Sequence, residues 1–179
     1  MAKHNLCFVG LSKSFIDSVV KNIADINGLF FANVDKFIDF EFDCKNIELG
    51  GKEYIEKQEQ KIIRRVCEFE NTIIYIDYAK LNNPKTLKTI RENCVLVFIE
   101  MNFESYLKSI EFSDKTQEQK LIDIDLFNDR NTLCKISSDH IVSVDSCIFD
   151  DVVNAVNKEF ISIVNNGEVE FNGFGNEEC

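Results

Sequence analysis

The strongest constraint on the fold is an alternation of short, continuous apolar runs with amphipathic helical patterns. Runs that are apolar at nearly every position are typical of strands covered on both faces. Five segments have this character: Asn5–Val9, Leu29–Asn33, Thr72–Ile76, Cys94–Ile99 and His140–Val144. Because helical patterns separate them, the sequence predicts an α/β fold. We expect a three-layer, doubly wound sheet of five parallel strands.

The segments between these runs carry apolar stripes with helical spacing. Ile16, Val19, Val20 and Ile23 recur at i, i+3, i+4 and i+7, which is one face of a helix, and Gly28 follows as a helix stop. Similar stripes predict a helix with Ile55, Ile62, Val66 and Phe69, a helix opened by Pro84, and a closing helix with Val152, Val153, Val156, Phe160 and Ile163. Each predicted strand is therefore followed by helical structure.

The length and composition predict one domain and a tail. The chain has 179 residues, enough for a sizeable core, and we expect the domain to span residues 1–165. The tail, residues 166–179, holds four acidic residues and no basic one, and it contains three of the seven glycines. Such a composition predicts a disordered or loosely docked segment. The roles of this tail and of Cys179 are left open.

The net charge limits the partners of the protein. A formal charge of -11 argues against binding nucleic acid or an anionic membrane by net charge. No apolar run approaches the length that spans a bilayer, and the first run is too short for a signal peptide. A cytoplasmic location is therefore expected. A small anionic metabolite or a protein of unknown identity stays open as the partner.

The turn after the first predicted strand contains the residues of a candidate anion site: Gly10, Ser12, Lys13 and Ser14. A helix that begins here would present free N–H groups to one phosphate or sulfate. The phosphate-binding loop G-x-x-x-x-G-K-[ST] has five residues between its first glycine and its lysine, whereas only Leu11 and Ser12 lie there. We predict a degenerate loop, about 10 Å shorter in extended chain. The alternative is a plain strand–helix turn with Ser12 as the N-cap.

The order of several short motifs resembles that of shikimate kinases, small-molecule kinases with a P-loop. The resemblance extends over about residues 5–165 and is carried by NLCFVG (5–10), FANVD (31–35), GGKEYIEKQE (50–59), VLVFIEMNFESYLKSI (95–110) and DRNTLCKISSDHIV (129–142). It implies the P-loop NTPase fold. It also implies a phosphotransferase that uses ATP and Mg²⁺ to phosphorylate shikimate.

The resemblance assigns roles to individual residues. Asp35 corresponds to the aspartate that contacts the substrate hydroxyls, and Arg130 to an arginine that binds the substrate carboxylate. Asn33 replaces an aspartate that helps to hold Mg²⁺, and Ile55 replaces the second substrate arginine. Asp77, which ends the third predicted strand, is a weak candidate for a replacement metal ligand.

Two further family features are absent. The triple glycine after the third strand would fall within IDYAKL (76–81), which has no glycine, and the lid segment EFSDKTQEQKLIDID (111–125) has no arginine. We therefore predict a shikimate-kinase-like protein that has lost efficient phosphoryl transfer and binds a small anionic metabolite or a protein partner. No cofactor and no catalytic residue are assigned in this interpretation.

Two alternatives stay open. In the first, the protein is an active, divergent shikimate kinase that uses ATP and Mg²⁺, with Lys115, Lys120 or Asp77 replacing lost groups. In the second, it is a non-enzymatic interaction module that docks through the phenylalanines at positions 37, 40 and 42.

The two residues that the resemblance assigns to substrate binding also have purely structural interpretations. Asp35 could cap the helix that starts beside it. Arg130 could pair with Asp125 or Asp129 on the same surface.

Overall fold

The structure is a computed structural model, which describes residues 3–45, 51–111 and 116–171. Its strands are β1 (Asn5–Val9), β2 (Phe30–Asn33), β3 (Thr72–Tyr75), β4 (Cys94–Met101) and β5 (His140–Val144). They form one sheet in the order β2-β3-β1-β4-β5, and every neighbouring pair is parallel. The predicted five-stranded parallel α/β fold is therefore confirmed.

The helices flank this sheet. They are α1 (Lys13–Ile26), α2 (Val34–Lys45), α3 (Lys52–Cys67), α4 (Pro84–Asn93), α5 (Phe103–Glu111), α6 (Gln117–Asp125), α7 (Phe127–Ser137) and α8 (Phe149–Asn165). Helix α1 packs beside α8 and against β2 and β3, whereas α3 packs beside α4, which covers β4. Within the described residues, none of these helices is both long and apolar enough to cross a membrane.

Strand β1 is the centre of the core. All five of its residues are buried, and Cys7 lies between Ile74 of β3 and Leu96 of β4. The stripe predicted for α1 is buried against the sheet. Gly28 has a φ of 65°, a left-handed conformation that costs glycine little, and it turns the chain from α1 toward β2.

The first part of the acidic tail is docked. Residue 169 forms a parallel bridge with Lys3, and the Glu170 N–H donates to the Lys3 carbonyl at 3.0 Å. Val169 is buried, and Phe171 stacks on Phe160 of α8 with 5.8 Å between ring centroids. Of the two expected behaviours, disordered or loosely docked, residues 168–171 show docking, because two alternate apolar side chains enter the core. Residues 172–179, including Cys179, lie outside the described residues.

The three phenylalanines proposed as a docking face have different environments. Phe42 is buried, and Phe37 is partly buried with its ring edge-on to Phe69. Only Phe40 is largely exposed, at 67%. The three residues therefore do not form one exposed surface.

The docked tail predicts a clear difference between two phenylalanine substitutions. We expect Phe171→Ala to lower the free energy of unfolding by about 3 kcal/mol, because it removes a buried ring. Phe30→Ala is the matched control, since Phe30 is 77% exposed, and its effect should stay within about 0.5 kcal/mol. Urea unfolding of both variants measures this. Equal, small effects would show that the tail is not docked in solution.

Candidate functional site

The candidate site lies beyond the carboxyl ends of β1 and β3. These strands are neighbours, but the chain leaves β1 for the sheet edge at β2 and later passes from β3 across β1 to β4. Ligand sites of open parallel sheets lie in the crevice where the strand order reverses in this way. Gly10 follows β1 and Asp77 lies just after β3, so both candidate segments border this crevice.

The turn between β1 and α1 has only three residues, Gly10, Leu11 and Ser12. At Gly10 a Cβ atom would come within 2.7 Å of Ile16 Cγ1, so the close packing of this turn on α1 requires glycine. Ser12 occupies the N-cap position of α1, as in the alternative interpretation of this turn, but its side chain makes no capping hydrogen bond. Its carbonyl accepts a hydrogen bond from the Ile16 N–H at 2.8 Å.

Lys13 begins α1, and an internal carboxylate neutralises its charge. Its Nζ forms an ion pair with Oδ2 of the buried Asp77. The other oxygen of Asp77 accepts a hydrogen bond from the Ala79 N–H at 2.9 Å, which caps the 3₁₀ helix Tyr78–Asn82. The lysine expected to meet a phosphate is therefore held by the carboxylate that follows β3. Ser14 is exposed beside it.

The Tyr78 ring fills the space between two cations of the site. Lys13 Nζ lies 5.5 Å from the ring centroid, and the guanidinium carbon of Arg130 lies 5.0 Å from it. These distances are typical of cation–π contacts. Burial raises the pKa of Tyr78 to about 12, with Arg130 opposing the shift, so the phenol is neutral. Tyr78 belongs to the segment IDYAKL, where the resemblance led us to expect glycines.

Arg130 lies at the site, but it pairs with Asp123 and not with Asp125 or Asp129. Its Nη1 donates to Asp123 Oδ1 of α6 at 2.5 Å. Asp125 and Asp129, the expected partners, are both exposed. The Asp123–Arg130 pair is largely buried, with side-chain exposures of 10% and 18%.

The negative charge of Asp35 is only weakly balanced by a neighbouring cation. Asp35 is in the first turn of α2, and its nearest cation is Lys80, whose Nζ is 4.0 Å from Oδ1. Burial, followed by the charge of Asp77, raises the pKa of Asp35 above its usual 3.8. Asp35 does not cap α2, which was the alternative role for this residue, because Asn33 Oδ1 accepts the Lys36 N–H at 3.0 Å.

The two weak candidates for metal ligands have protein partners. Asn33 donates its amide to Asp17 at 2.7 Å while its oxygen caps α2, and Asp77 pairs with Lys13. Among the described residues, no group of three or more histidine, cysteine or acidic side chains is arranged to hold a metal ion. Both candidates are engaged by protein groups, so neither offers an unpaired oxygen to Mg²⁺, which usually takes one or two carboxylates together with waters and phosphate oxygens.

The other residues considered for the site lie elsewhere. Ile55 is partly buried against the core, as its helical stripe indicated. Lys120 donates to the Glu111 carbonyl at 2.7 Å on the outer surface. Lys115 lies outside the described residues.

A small cavity remains between the start of α1 and helix α6. Its volume is about 230 Å³, and its lining is Lys13, Tyr78, Gln119, Ile122 and Asp123. Sites for drug-sized ligands usually have about 300–1,000 Å³. A cavity of this volume has room for a small anion.

The strand order, the flanking helices and the crevice define a P-loop kinase fold. A family model described as shikimate kinase matches residues 16–160. The chain therefore belongs to the shikimate kinase family. The matched range begins after the turn between β1 and α1 and after Lys13.

Individual relatives agree with this family. The chain is 30% identical over 110 residues to a shikimate kinase of Caldicellulosiruptor bescii, which covers 60% of this chain and 62% of that protein. It is 23% identical over 101 residues to one of Dehalococcoides mccartyi, covering 55% and 57%. The chain thus spans about three fifths of the length of these curated relatives.

Solved structures support the fold. A shikimate kinase from Acinetobacter baumannii in complex with shikimate superimposes with a TM-score of 0.72 at 11% identity, covering 94% of this chain and 96% of that one. The shikimate kinase of Aquifex aeolicus gives a TM-score of 0.63 at 20% identity, covering 90% and 97%. At such identities the likeness concerns the fold alone.

The raised pKa of Asp35 predicts the pH dependence of one substitution. Because the folded state holds the Asp35 proton more tightly than the unfolded chain does, ionisation of Asp35 lowers stability as the pH rises. We expect Asp35→Asn to be more stable than wild type at about pH 7, with the difference shrinking toward about pH 4. Urea unfolding across this range measures it. A difference that grows as the pH falls, or one matched by Asp125→Asn, would contradict the assignment.

Proposed function

We propose that this member of the shikimate kinase family has lost efficient ATP-dependent phosphoryl transfer and binds a small hydroxylated carboxylate at Lys13, Asp35 and Arg130. The observation that carries the proposal is the Lys13–Asp77 ion pair, held by a turn of only three residues. Binding, rather than turnover, is the activity that this crevice supports best.

Charge is the main reason for proposing lost catalysis. Phosphoryl transfer depends on positive groups placed around the transferred phosphate. Here Lys13 faces Asp77 and Arg130 faces Asp123, so each cation has an internal counterion. A triphosphate would have to displace these carboxylates and would meet their negative charge. Losing the stabilisation from even one such group typically costs several kcal/mol in the transition state.

The chemistry of the retained groups favours a hydroxylated carboxylate. A guanidinium binds a carboxylate through two parallel hydrogen bonds, which suits Arg130. The weakly paired carboxylate of Asp35 can accept hydrogen bonds from hydroxyl groups. The complex of the Acinetobacter baumannii enzyme contains shikimate, a ligand of this class. With isoleucine at position 55, we expect weaker binding than in a site with two arginines.

An active, divergent kinase is the second candidate. It is supported by the retention of Lys13, Asp35 and Arg130 and by the 30% identity with a shikimate kinase. Such an enzyme would need ATP and Mg²⁺, and Lys13 would have to leave Asp77 before it could meet a phosphate.

Titration with ATP·Mg²⁺ separates the two candidates. We expect no micromolar binding in isothermal titration calorimetry and no ADP release above background when shikimate is added. The physical reason is the neutralised Lys13 at the end of a shortened turn. Shikimate-dependent ADP release that disappears in Lys13→Met would establish the active kinase instead.

Substitutions at the retained residues test the proposed ligand. We expect Arg130→Ala and Asp35→Ala to weaken shikimate binding, by about 1.5–3 kcal/mol for the charge-assisted bonds of Arg130. Arg64→Ala is the matched control, because Arg64 is exposed on α3. Calorimetry or ligand-observed NMR measures the affinities. If both site variants bind as wild type does, shikimate occupies another place.

A further inference from the structure

Helix α6 docks on the protein through a buried carboxylate. Asp123 is the one buried residue of this helix, whereas Leu121 and Ile122 are 63% and 48% exposed. Ile124 alone among its apolar side chains packs partly against the core. Surface helices usually dock through an apolar stripe, and charged side chains are rarely buried unless paired. The attachment of α6 therefore depends strongly on the partner of Asp123.

One partner of Asp123 is Arg130, the cation that binds the ligand carboxylate in the proposed function. Arg130 donates to Asp123 Oδ1 while its guanidinium lies over the Tyr78 ring. Asp123 also lines the cavity next to Lys13. A carboxylate carried by α6 thus occupies the place where a ligand carboxylate would meet Arg130.

We infer that Asp123 is a tethered competitor for the ligand: a small carboxylate binds Arg130 by displacing Asp123, and this displacement releases helix α6 from the site. The inference rests on the proposed function, because it takes Arg130 as the carboxylate-binding group. Asp123 then sets the affinity of the site, and ligand binding is coupled to the position of α6.

Electrostatics explains why both carboxylates do not stay. Asp77 already neutralises Lys13, and Asp123 neutralises Arg130, so a further anion in a cavity of about 230 Å³ would add uncompensated negative charge. Like charges repel one another most strongly where little water screens them, and Asp77 and Asp123 are both buried. Exchange of one carboxylate for another keeps the charge balanced, and it opens the cavity on the side of α6.

The test compares Asp123→Asn with Asp125→Asn, an exposed residue at the end of the same helix. Shikimate is the probe, and its affinity is measured by calorimetry. We expect Asp123→Asn to bind it about 5- to 150-fold more tightly than wild type, the usual range of coupling between two sites. Asp125→Asn should bind as wild type does.

Hydrogen exchange of the α6 amides gives a second measurement. We expect faster exchange in Asp123→Asn without ligand, and faster exchange in the wild type when shikimate is added. If the variant fails to fold, the wild-type comparison decides alone. The inference is overturned if shikimate slows exchange in α6 or if Asp123→Asn binds shikimate no tighter than the wild type does. Absence of shikimate binding to both proteins would overturn the proposed binding function together with the inference. These outcomes differ from failure of the proposed loss of catalysis, which would be seen as shikimate-dependent ADP release.

Discussion

The organisation of the site depends on the short connection from β1 to α1. Because the connection has only three residues, α1 begins close to the end of β1 and Gly10 packs against Ile16. Lys13 is thereby fixed next to the segment that follows β3, where Asp77 meets it. Asp77 in turn caps the 3₁₀ helix that presents Tyr78. One constraint on chain length thus determines the surroundings of three side chains.

The crevice carries its own counterions. Lys13 and Arg130 lie on either side of the Tyr78 ring, and a buried or nearly buried aspartate faces each cation. The Asp123–Arg130 pair is largely buried, and such ion pairs contribute little to stability compared with apolar packing, although removing one partner is costly. The charges of the crevice stay balanced as long as both pairs are intact. An anion that competes for either cation would break one of the pairs.

The sequence predicted the fold well and the site only in part. Strand and helix positions follow from local apolar spacing, so β1, β5 and the buried stripe of α1 agree closely with the structure. The partners of Arg130 and Lys13 depend on how separate segments meet, which periodicity does not encode. The pairing of Arg130 with Asp123 was therefore not predicted. The absence of glycine from IDYAKL (76–81) was a signal in the sequence that a side chain, that of Tyr78, occupies this part of the site. The composition of the tail left open whether it is disordered or docked, because composition does not show the alternation of Val169 and Phe171 that docks residues 168–171.

The pairing of Lys3 with residues 168–170 places the two ends of the described chain side by side. Lys3 lies two residues before β1, the central strand. The Phe171 ring stacks on Phe160 of α8. A short polar linker could therefore join these ends without crossing the sheet or the crevice. New ends could then be opened in an exposed connection, so the protein has the geometry of a good candidate for circular permutation.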